Sequence, residues 1–203
     1  MKKKFLSICL AVCLLLSFQT VAFASEEDNS NTIEMYTVNL ETGDETTDVI
    51  NISSSSDVLS APAYIPEDQV APNDIIDTDN RYRVPDLLMS NIPYSCIGVV
   101  IAENPDGTAS RGTGFLIGPN DVVTCGHVLV DYTGEVAKQV YFYLGVNGDL
   151  DSHMRYTAQD ISVPKAYVEN MNAGNDWGTF QLTNNVGNYT GYLGWTTDYS
   201  AGI

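Results

Sequence analysis

The hydrophobic pattern from about residue 90 onward consists of short apolar runs separated by turn signals. Cys96 to Ala102 is an apolar, β-branched run, and the Asn-Pro-Asp-Gly sequence at 104–107 directly after it is a strong turn signal. Further runs of strand type lie at 112–117, 122–124, 139–144, 155–163 and 177–182. The pattern contains no convincing amphipathic helix of ordinary length. Strands this short, with turns between them, predict an all-β sandwich or a closed barrel.

The first 24 residues have the pattern of a secretory signal peptide. Three lysines at 2–4 precede an apolar run over 5–18, and Ala22-Phe23-Ala24 supplies small residues before a cleavage point at Ser25. The apolar run is short for a membrane span, and an acidic polar stretch follows it. The sequence therefore predicts a cleaved leader over 1–24, a secreted, extracellular product, and no membrane association after cleavage.

Residues 25–74 differ in composition from everything that follows. They contain 12 acidic residues, no Lys or Arg, a serine run at 53–56 and little apolar material. Such a segment has too little to bury for a core of its own, which predicts disorder. A propeptide removed during maturation is favoured, and a spacer is the alternative. The rest of the chain, 75–203, is then the folded domain.

The net charge and the cysteine content limit the classes of function that this chain can have. The formal net charge is -17, so the chain repels phosphate backbones and nucleic acid is not an expected partner. Apolar residues make up 44% of the chain, enough for a real core. Once the leader is removed, Cys96 and Cys125 remain. Export makes a disulfide between them possible, and two separate small buried side chains are equally compatible with the pattern.

The chain has two histidines, and one of them lies in a context suited to catalysis. His127 follows the strand at 122–124, and we expect Gly126 to let the backbone turn there so that the imidazole faces a cleft. Asp176 immediately precedes the strand at 177–182, where a carboxylate can accept the His Nδ1–H and fix the tautomer. Taken singly, each also fits a structural role: a hydrogen-bonded histidine at a strand end, or an aspartate capping its own turn.

Taken together, these contexts resemble a known family. The stretch RGTGFLIGPNDVVTCGHV at 111–128 resembles the first-barrel box of chymotrypsin-like serine peptidases, and is closest to the bacterial glutamyl endopeptidase branch. NDWGTFQL at 175–182 and GYLG at 191–194 resemble the aspartate strand and the passage into the second barrel. DTDNRYRV at 77–84 is similar to the start of the mature enzyme. The resemblance runs from about Ile75 to the end of the chain.

The resemblance implies a chymotrypsin-like double β-barrel, with the first barrel to about residue 183 and the second only begun in 184–203. It implies that His127 and Asp176 are catalytic, and that cleavage follows Glu or Asp. Cys125 stands where the family usually has Ala, a small-for-small change. No Gly-Asp-Ser-Gly or Gly-x-Ser-Gly stretch occurs in the sequence. Ser110 and Ser200 lie outside any such turn and are interpreted as surface serines, so we expect the nucleophile beyond residue 203.

A polar loop at 147–153 gives little evidence for a metal site. Asn147, Asp149, Asp151 and His153 alternate like a metal loop, but the sixth and twelfth positions of an EF-hand counted from Asn147 are filled by Ser and Ala. We expect a solvated hairpin turn there. We predict neither a metal nor a cofactor. We expect a monomer whose partners are its protein or peptide substrates.

The sequence therefore favours an exported zymogen of a serine-type endopeptidase that is inactive without its serine. The alternative from another class is a secreted β-barrel binding module, a pseudo-protease that has lost catalysis. Retention of both His127 and Asp176 argues against that alternative, because binding alone requires neither. A surface-displayed β-domain is a third and weaker hypothesis.

Overall fold

The computed structural model describes residues 32–51, 60–62 and 84–196. The strands are β1 (Thr32–Asn39), β2 (Glu45–Asn51), β3 (Ser60–Ala61), β4 (Ile97–Glu103), β5 (Ala109–Leu116), β6 (Asp121–Thr124), β7 (Gln139–Leu144), β8 (Arg155–Pro164), β9 (Gly178–Leu182) and β10 (Trp195–Thr196). The α-helices of the described residues are short: α1 (Gly126–Leu129), α2 (Lys165–Asn170) and α3 (Gly187–Thr190). Single 3₁₀ turns lie at Asp86–Leu88, Tyr94–Cys96 and Ala173–Asn175. None of the described helices is long and apolar enough to cross a membrane.

Six antiparallel strands close into a barrel. Going round it, β4 pairs with β5, β5 with β6, β6 with β9, β9 with β8, β8 with β7, and β7 again with β4. Closure gives each of the six strands a neighbour on both sides, which suits strands too short to be stable in an open sheet. The expectation of an all-β fold with a closed barrel is thereby confirmed.

The barrel interior is filled by the inward residues of alternating strands. The burial of β4 alternates strictly from Ile97 to Glu103, as period-two geometry requires. At the centre, Phe142 of β7 and Phe180 of β9 meet edge to face, with ring centroids 6.0 Å apart and an interplanar angle of 76°. Branched aliphatic side chains of β4, β5, β6 and β8 surround this pair. The tightly packed interior holds the strand ends that present the candidate site.

The strand predictions agree with the structure to within a few residues. The run at 139–144 coincides with β7, and those at 155–163 and 177–182 match β8 and β9 to within one residue. The run predicted from 112 begins three residues earlier, at Ala109. Beyond residue 183 the described chain contains α3 and then β10, which pairs with β3. The leader over 1–24, the residues 75–83 and Ser200 lie outside the described residues.

The expectation of disorder is wrong for part of the segment 25–74. Residues 32–51 form a β-hairpin, in which β1 pairs with β2 and also with β8 of the barrel. The physical reason is that an acidic strand needs little apolar burial when its backbone groups complete an existing sheet. Only Met35 in the hairpin is classed as buried, and every residue of β2 is exposed. The division of the chain into leader, propeptide and peptidase domain remains a prediction.

Candidate active site

The register between β6 and β9 brings the two predicted site residues together. Thr124 at the end of β6 pairs with Gly178 at the start of β9. Because the strands are antiparallel, the residues just after β6 and just before β9 continue side by side. His127 lies three residues beyond Thr124, in α1, and Asp176 lies two residues before Gly178. Both are therefore presented at the same end of the barrel.

The Asp176 carboxylate holds His127 at two points. Its Oδ2 lies 2.8 Å from the ring Nδ1, and its Oδ1 accepts a hydrogen bond from the His127 backbone N–H, also at 2.8 Å. The side chain of His127 is 61% exposed, whereas that of Asp176 is 31% exposed. A carboxylate at Nδ1 makes that nitrogen the protonated one and leaves Nε2 as the basic atom facing solvent. Such an imidazole can accept a proton from a group bound in front of it.

The Asp176 carboxyl stays ionised because of these contacts. Burial by itself would favour the neutral acid, but the hydrogen bonds from the His127 ring and backbone outweigh it and lower the pKa of Asp176 below its ordinary value of 3.8. The neighbouring Tyr167 hydroxyl adds to this lowering. In turn, burial and then the charge of Asp176 raise the pKa of the Tyr167 phenol. A carboxyl group that is ionised at neutral pH is what a partner for a transiently protonated imidazole requires.

Tyr167 belongs to the candidate site, although nothing in the sequence pattern pointed to it. It lies in α2, directly after β8, and is 6% exposed. Its ring packs against Gly126 while its hydroxyl interacts with Asp176. A tyrosine in a six-residue helix carries no sequence signal of such a role, because the contact depends on how β8 and β9 are paired.

Gly126 has a different role from the one expected. It does not adopt a positive φ, so the backbone turn into α1 does not need glycine's conformational freedom. Instead, a Cβ at this position would lie 2.9 Å from Cδ1 of Tyr167 and 3.2 Å from Oδ1 of Asp176. Contacts that short are seldom seen for real Cβ atoms. Gly126 is required for space, since it lets the tyrosine ring and the carboxylate approach the backbone that carries His127.

A cleft of about 500 Å³ opens beside His127. Its lining includes Tyr132, Tyr167 and Met171 as well as the polar side chains of Ser110 and Asp131. Ser110, expected on the surface, is half-buried in this cleft, and its Oγ accepts a hydrogen bond of 3.4 Å from Asn104. A cleft of this volume, with aromatic and polar walls, lies within the size range of ligand-binding sites and adjoins the exposed imidazole.

The two cysteines of the folded domain are not bridged. Cys96 is buried, and burial raises its thiol pKa to about 11, while its Sγ lies 3.0 Å from the Pro93 carbonyl oxygen. Cys125 is exposed, two residues before His127. Of the two possibilities left open by the sequence, the structure has separate thiols, only one of which is buried.

The polar loop at 147–153 has the geometry of a turn. The Asp151 N–H donates to Asp149 Oδ1 at 3.0 Å, and the His153 ring Nδ1 lies 2.8 Å from the Asp149 carbonyl oxygen. Across residues 32–51, 60–62 and 84–196, no three His, Cys, Asp or Glu side chains are grouped so that they could hold a metal ion. His153 is not brought to the candidate site.

No protein-family model matches the chain. Among curated proteins, the chain is similar to a protein named extracellular metalloprotease from Bacillus subtilis (strain 168), with 26% identity over 212 residues. The match takes in 96% of this chain and 65% of the relative, so the chain spans less than two thirds of that protein's length.

Three solved structures that are similar to this chain are all named as peptidases. The Glu endopeptidase in complex with MPD has 24% identity and a TM-score of 0.44, and covers 51% of this chain and 46% of its own. The protease Anisep from Arthrobacter nicotinovorans has 20% identity, a TM-score of 0.43 and coverage of 48% of each chain. The thermostable serine protease AL20 has 17% identity, a TM-score of 0.43 and coverage of 47% and 48%. Similarity at this level of sequence identity and TM-score defines neither the functional site nor the reaction.

The word metalloprotease in the relative's name raises the question whether the residues here fit a metal. The donor set does not fit. The His127 Nδ1 and the Asp176 carboxylate are hydrogen-bonded to each other at 2.8 Å, and no third ligand joins them within the described residues. A catalytic zinc site in proteins uses three protein ligands.

Proposed function

We propose that this chain is the front part of a secreted serine endopeptidase of the chymotrypsin-like type, in which His127 and Asp176 are two members of a Ser-His-Asp triad. The observation that carries the proposal is the two-point contact of the Asp176 carboxylate with the ring Nδ1 and the backbone N–H of His127. This contact fixes both the tautomer and the orientation of the imidazole, which is the role of the aspartate in a triad.

In the proposed reaction, His127 Nε2 accepts the hydroxyl proton of a serine as that oxygen attacks the carbonyl carbon of the scissile peptide bond. Asp176 remains ionised and stabilises the imidazolium. The imidazolium then gives its proton to the leaving amine, and an acyl-enzyme remains. Water, deprotonated by the same nitrogen, releases the acid and restores the serine. The serine belongs to a part of the protein outside these 203 residues, and the fragment itself is inactive.

The finer features of the proposal come from the sequence pattern and from the family resemblance. The leader over 1–24 directs export, the acidic segment 25–74 is a propeptide, and a new amino terminus forms near Ile75–Asp77. In the glutamyl endopeptidase branch such an amine helps recognise an acidic side chain, so cleavage after Glu or Asp is proposed. The substrates are proteins or peptides, and the enzyme is a monomer without cofactor.

The extracellular protease from Bacillus subtilis supports a secreted peptidase as the class of protein. Its name differs from the proposal in the type of catalysis, so the two alternatives must be separated by experiment. A non-catalytic binding module remains the competing function from another class.

The test starts with the coding DNA beyond codon 203, followed by expression of the complete protein. The proposal expects a Gly-x-Ser-Gly stretch, covalent labelling by a fluorophosphonate, and preferred cleavage of peptides with Glu over Asp, Lys or Phe before the scissile bond. His127→Ala should lower kcat by about 10⁶-fold and Asp176→Asn by about 10⁴-fold. His153→Ala is the matched control, because His153 lies in a separate turn, and should leave kcat unchanged.

Two outcomes would overturn the proposal, and a third would remove one part of it. A stop codon directly after Ile203 favours the binding module. Activity that is abolished by a chelator but not by the fluorophosphonate favours metal-dependent catalysis. Hydrolysis with no preference for Glu leaves the triad in place and removes only the proposed specificity.

A further inference from the structure

Strand β8 has one edge that the barrel covers only in part. Along this edge β7 pairs with the beginning of β8, from Arg155 to Thr157. Beyond that point β7 diverges, and β1 takes its place by pairing with Asp160–Pro164. The opposite edge of β8 is occupied by β9. The N-terminal hairpin thus completes a strand edge that the barrel by itself would leave with unpaired backbone groups.

The direction of the backbone groups shows which residues make this contact. The Asn39 N–H donates to the Asp44 carbonyl within the hairpin, whereas the Leu40 N–H donates to the Gln159 carbonyl of β8. Since backbone groups alternate along a strand, the N–H of Val38 faces β8 and that of Thr37 faces β2. In β2, the N–H of Thr47 faces solvent by the same alternation, because β2 is the outermost strand of the sheet.

Side chains add to the backbone contact at both ends of β1. The hydroxyls of Thr37 and Ser162 lie 2.7 Å apart across the strand pair. Glu34 Oε2 accepts a hydrogen bond from Lys165 Nζ at 2.8 Å, which joins the hairpin to the first residue of α2. Met35 is 6% exposed, so it is the apolar anchor of an otherwise polar strand. The docked strand therefore has backbone, apolar and charge complementarity to one place on the barrel.

The docked position lies next to the candidate site. Lys165 is two residues from Tyr167 in α2, and Tyr167 packs against Gly126 and interacts with Asp176. The end of β8 that β1 covers is the segment that leads directly into this tyrosine. A strand docked at Asp160–Pro164 braces the backbone from which Tyr167 reaches the carboxylate.

We propose that the Asp160–Pro164 edge of β8 is a strand-docking surface whose occupant is this chain's own hairpin at 32–51. The hairpin stays bound as a separate piece after the connection to the barrel is cut, and its release requires a second step, dissociation of β1 from β8. The inference rests on strand pairing and holds whether or not the barrel is catalytic.

The test uses the chain with a specific protease site inserted between Val70 and Ala71. After cutting, the fragment that ends at Val70 should co-elute with the barrel in size-exclusion chromatography at the mass of one chain. The amides of Ile161 and Val163, which face β1 by the same alternation, should remain protected from hydrogen exchange. The docking surface would be refuted if the fragment were released as soon as the chain is cut and if these amides exchanged equally fast in all the variants described below. Elution at twice the mass would instead mean that hairpins are exchanged between two copies.

Two proline variants form a matched pair. Val38→Pro removes an N–H that faces β8 and should speed release of the cut fragment on the order of tenfold or more. Thr47→Pro removes an N–H that faces solvent at an edge strand, where proline is tolerated, and should leave the release rate unchanged. Equal release by both variants would mean that the fragment is not held by the β1–β8 ladder.

A charge reversal tests the same surface without altering the backbone, and it stays informative if Val38→Pro fails to fold. Glu34→Lys places two cations together and should speed release, while the double variant Glu34→Lys/Lys165→Glu should restore retention. If the single variant has no effect, or the double variant releases as fast as the single one, the position of the hairpin in the structure is not the one that holds the cut fragment.

Discussion

Substituting Gly126 by alanine tests the packing on which the candidate site depends. The new Cβ would lie 2.9 Å from Cδ1 and 3.0 Å from Cε1 of Tyr167, and 3.2 Å from Oδ1 of Asp176. Ordinary van der Waals contact begins near 3.4 Å, so the ring must move by about half an ångström. Tyr167 is nearly fully buried, and a ring in a close-packed environment does not move freely.

The magnitude follows from two opposing effects. Overpacking of a buried site costs about 1–3 kcal/mol. Alanine is the better helix former by about 1 kcal/mol in a helix interior, but α1 has only four residues, so this gain is small. Gly126→Ala should therefore lower the free energy of unfolding by about 1–3 kcal/mol, measured by urea denaturation followed through Trp fluorescence.

A double-mutant cycle identifies the atoms responsible. Tyr167→Val removes both ring atoms that the new Cβ would meet and keeps a buried apolar side chain. In that background Gly126→Ala should cost at least about 1 kcal/mol less than in the wild-type chain, since the two positions are in contact. If Gly126→Ala is neutral in the wild-type chain, or costs the same in both backgrounds, the argument that Gly126 is required for space is refuted.

Three further predictions follow from the structure. Because the pKa of Asp176 is lowered in the folded chain, the stability that its carboxylate contributes is fully present above pH 3.8 and is lost as the pH falls through its folded-state pKa. In acid titrations, the difference in free energy of unfolding between the wild-type chain and Asp176→Asn should therefore disappear at low pH. A difference that acid leaves unchanged would contradict the contact with His127. A thiol reagent should modify exposed Cys125 rapidly and buried Cys96 only on unfolding, so Cys125→Ser should remove one fast-reacting thiol per chain. Phe142→Ala, at a fully buried position in the barrel centre, should cost about 3–5 kcal/mol in urea unfolding, and a loss below about 1 kcal/mol would show that the barrel is not packed as described.

The sequence determined the features that depend on neighbouring residues. The bounds of β7, β8 and β9 follow from short apolar runs between turn residues, and they are found within one residue of the prediction. The positions of His127 after one strand and Asp176 before another are likewise local facts. Local alternation and turn chemistry act over a few residues, which is why a linear pattern is sufficient to show them.

Only the tertiary structure decided which of these residues meet. The contact between His127 and Asp176 spans 49 positions and exists because Thr124 pairs with Gly178, a register that no local pattern specifies. The role of Gly126 was misjudged for the same reason, since the space it provides is filled by a tyrosine from another part of the chain.

The N-terminal hairpin is the clearest case in which the tertiary structure decided what the local sequence could not. Its composition predicts disorder, because a segment with so little apolar material cannot form a core of its own. In the structure it needs no core, since β1 completes the edge of β8 with backbone hydrogen bonds, one buried methionine and the pair of Glu34 with Lys165. An open strand edge is created by the arrangement of β7 and β8 in space, so the order of residues 32–51 was decided by the tertiary structure alone.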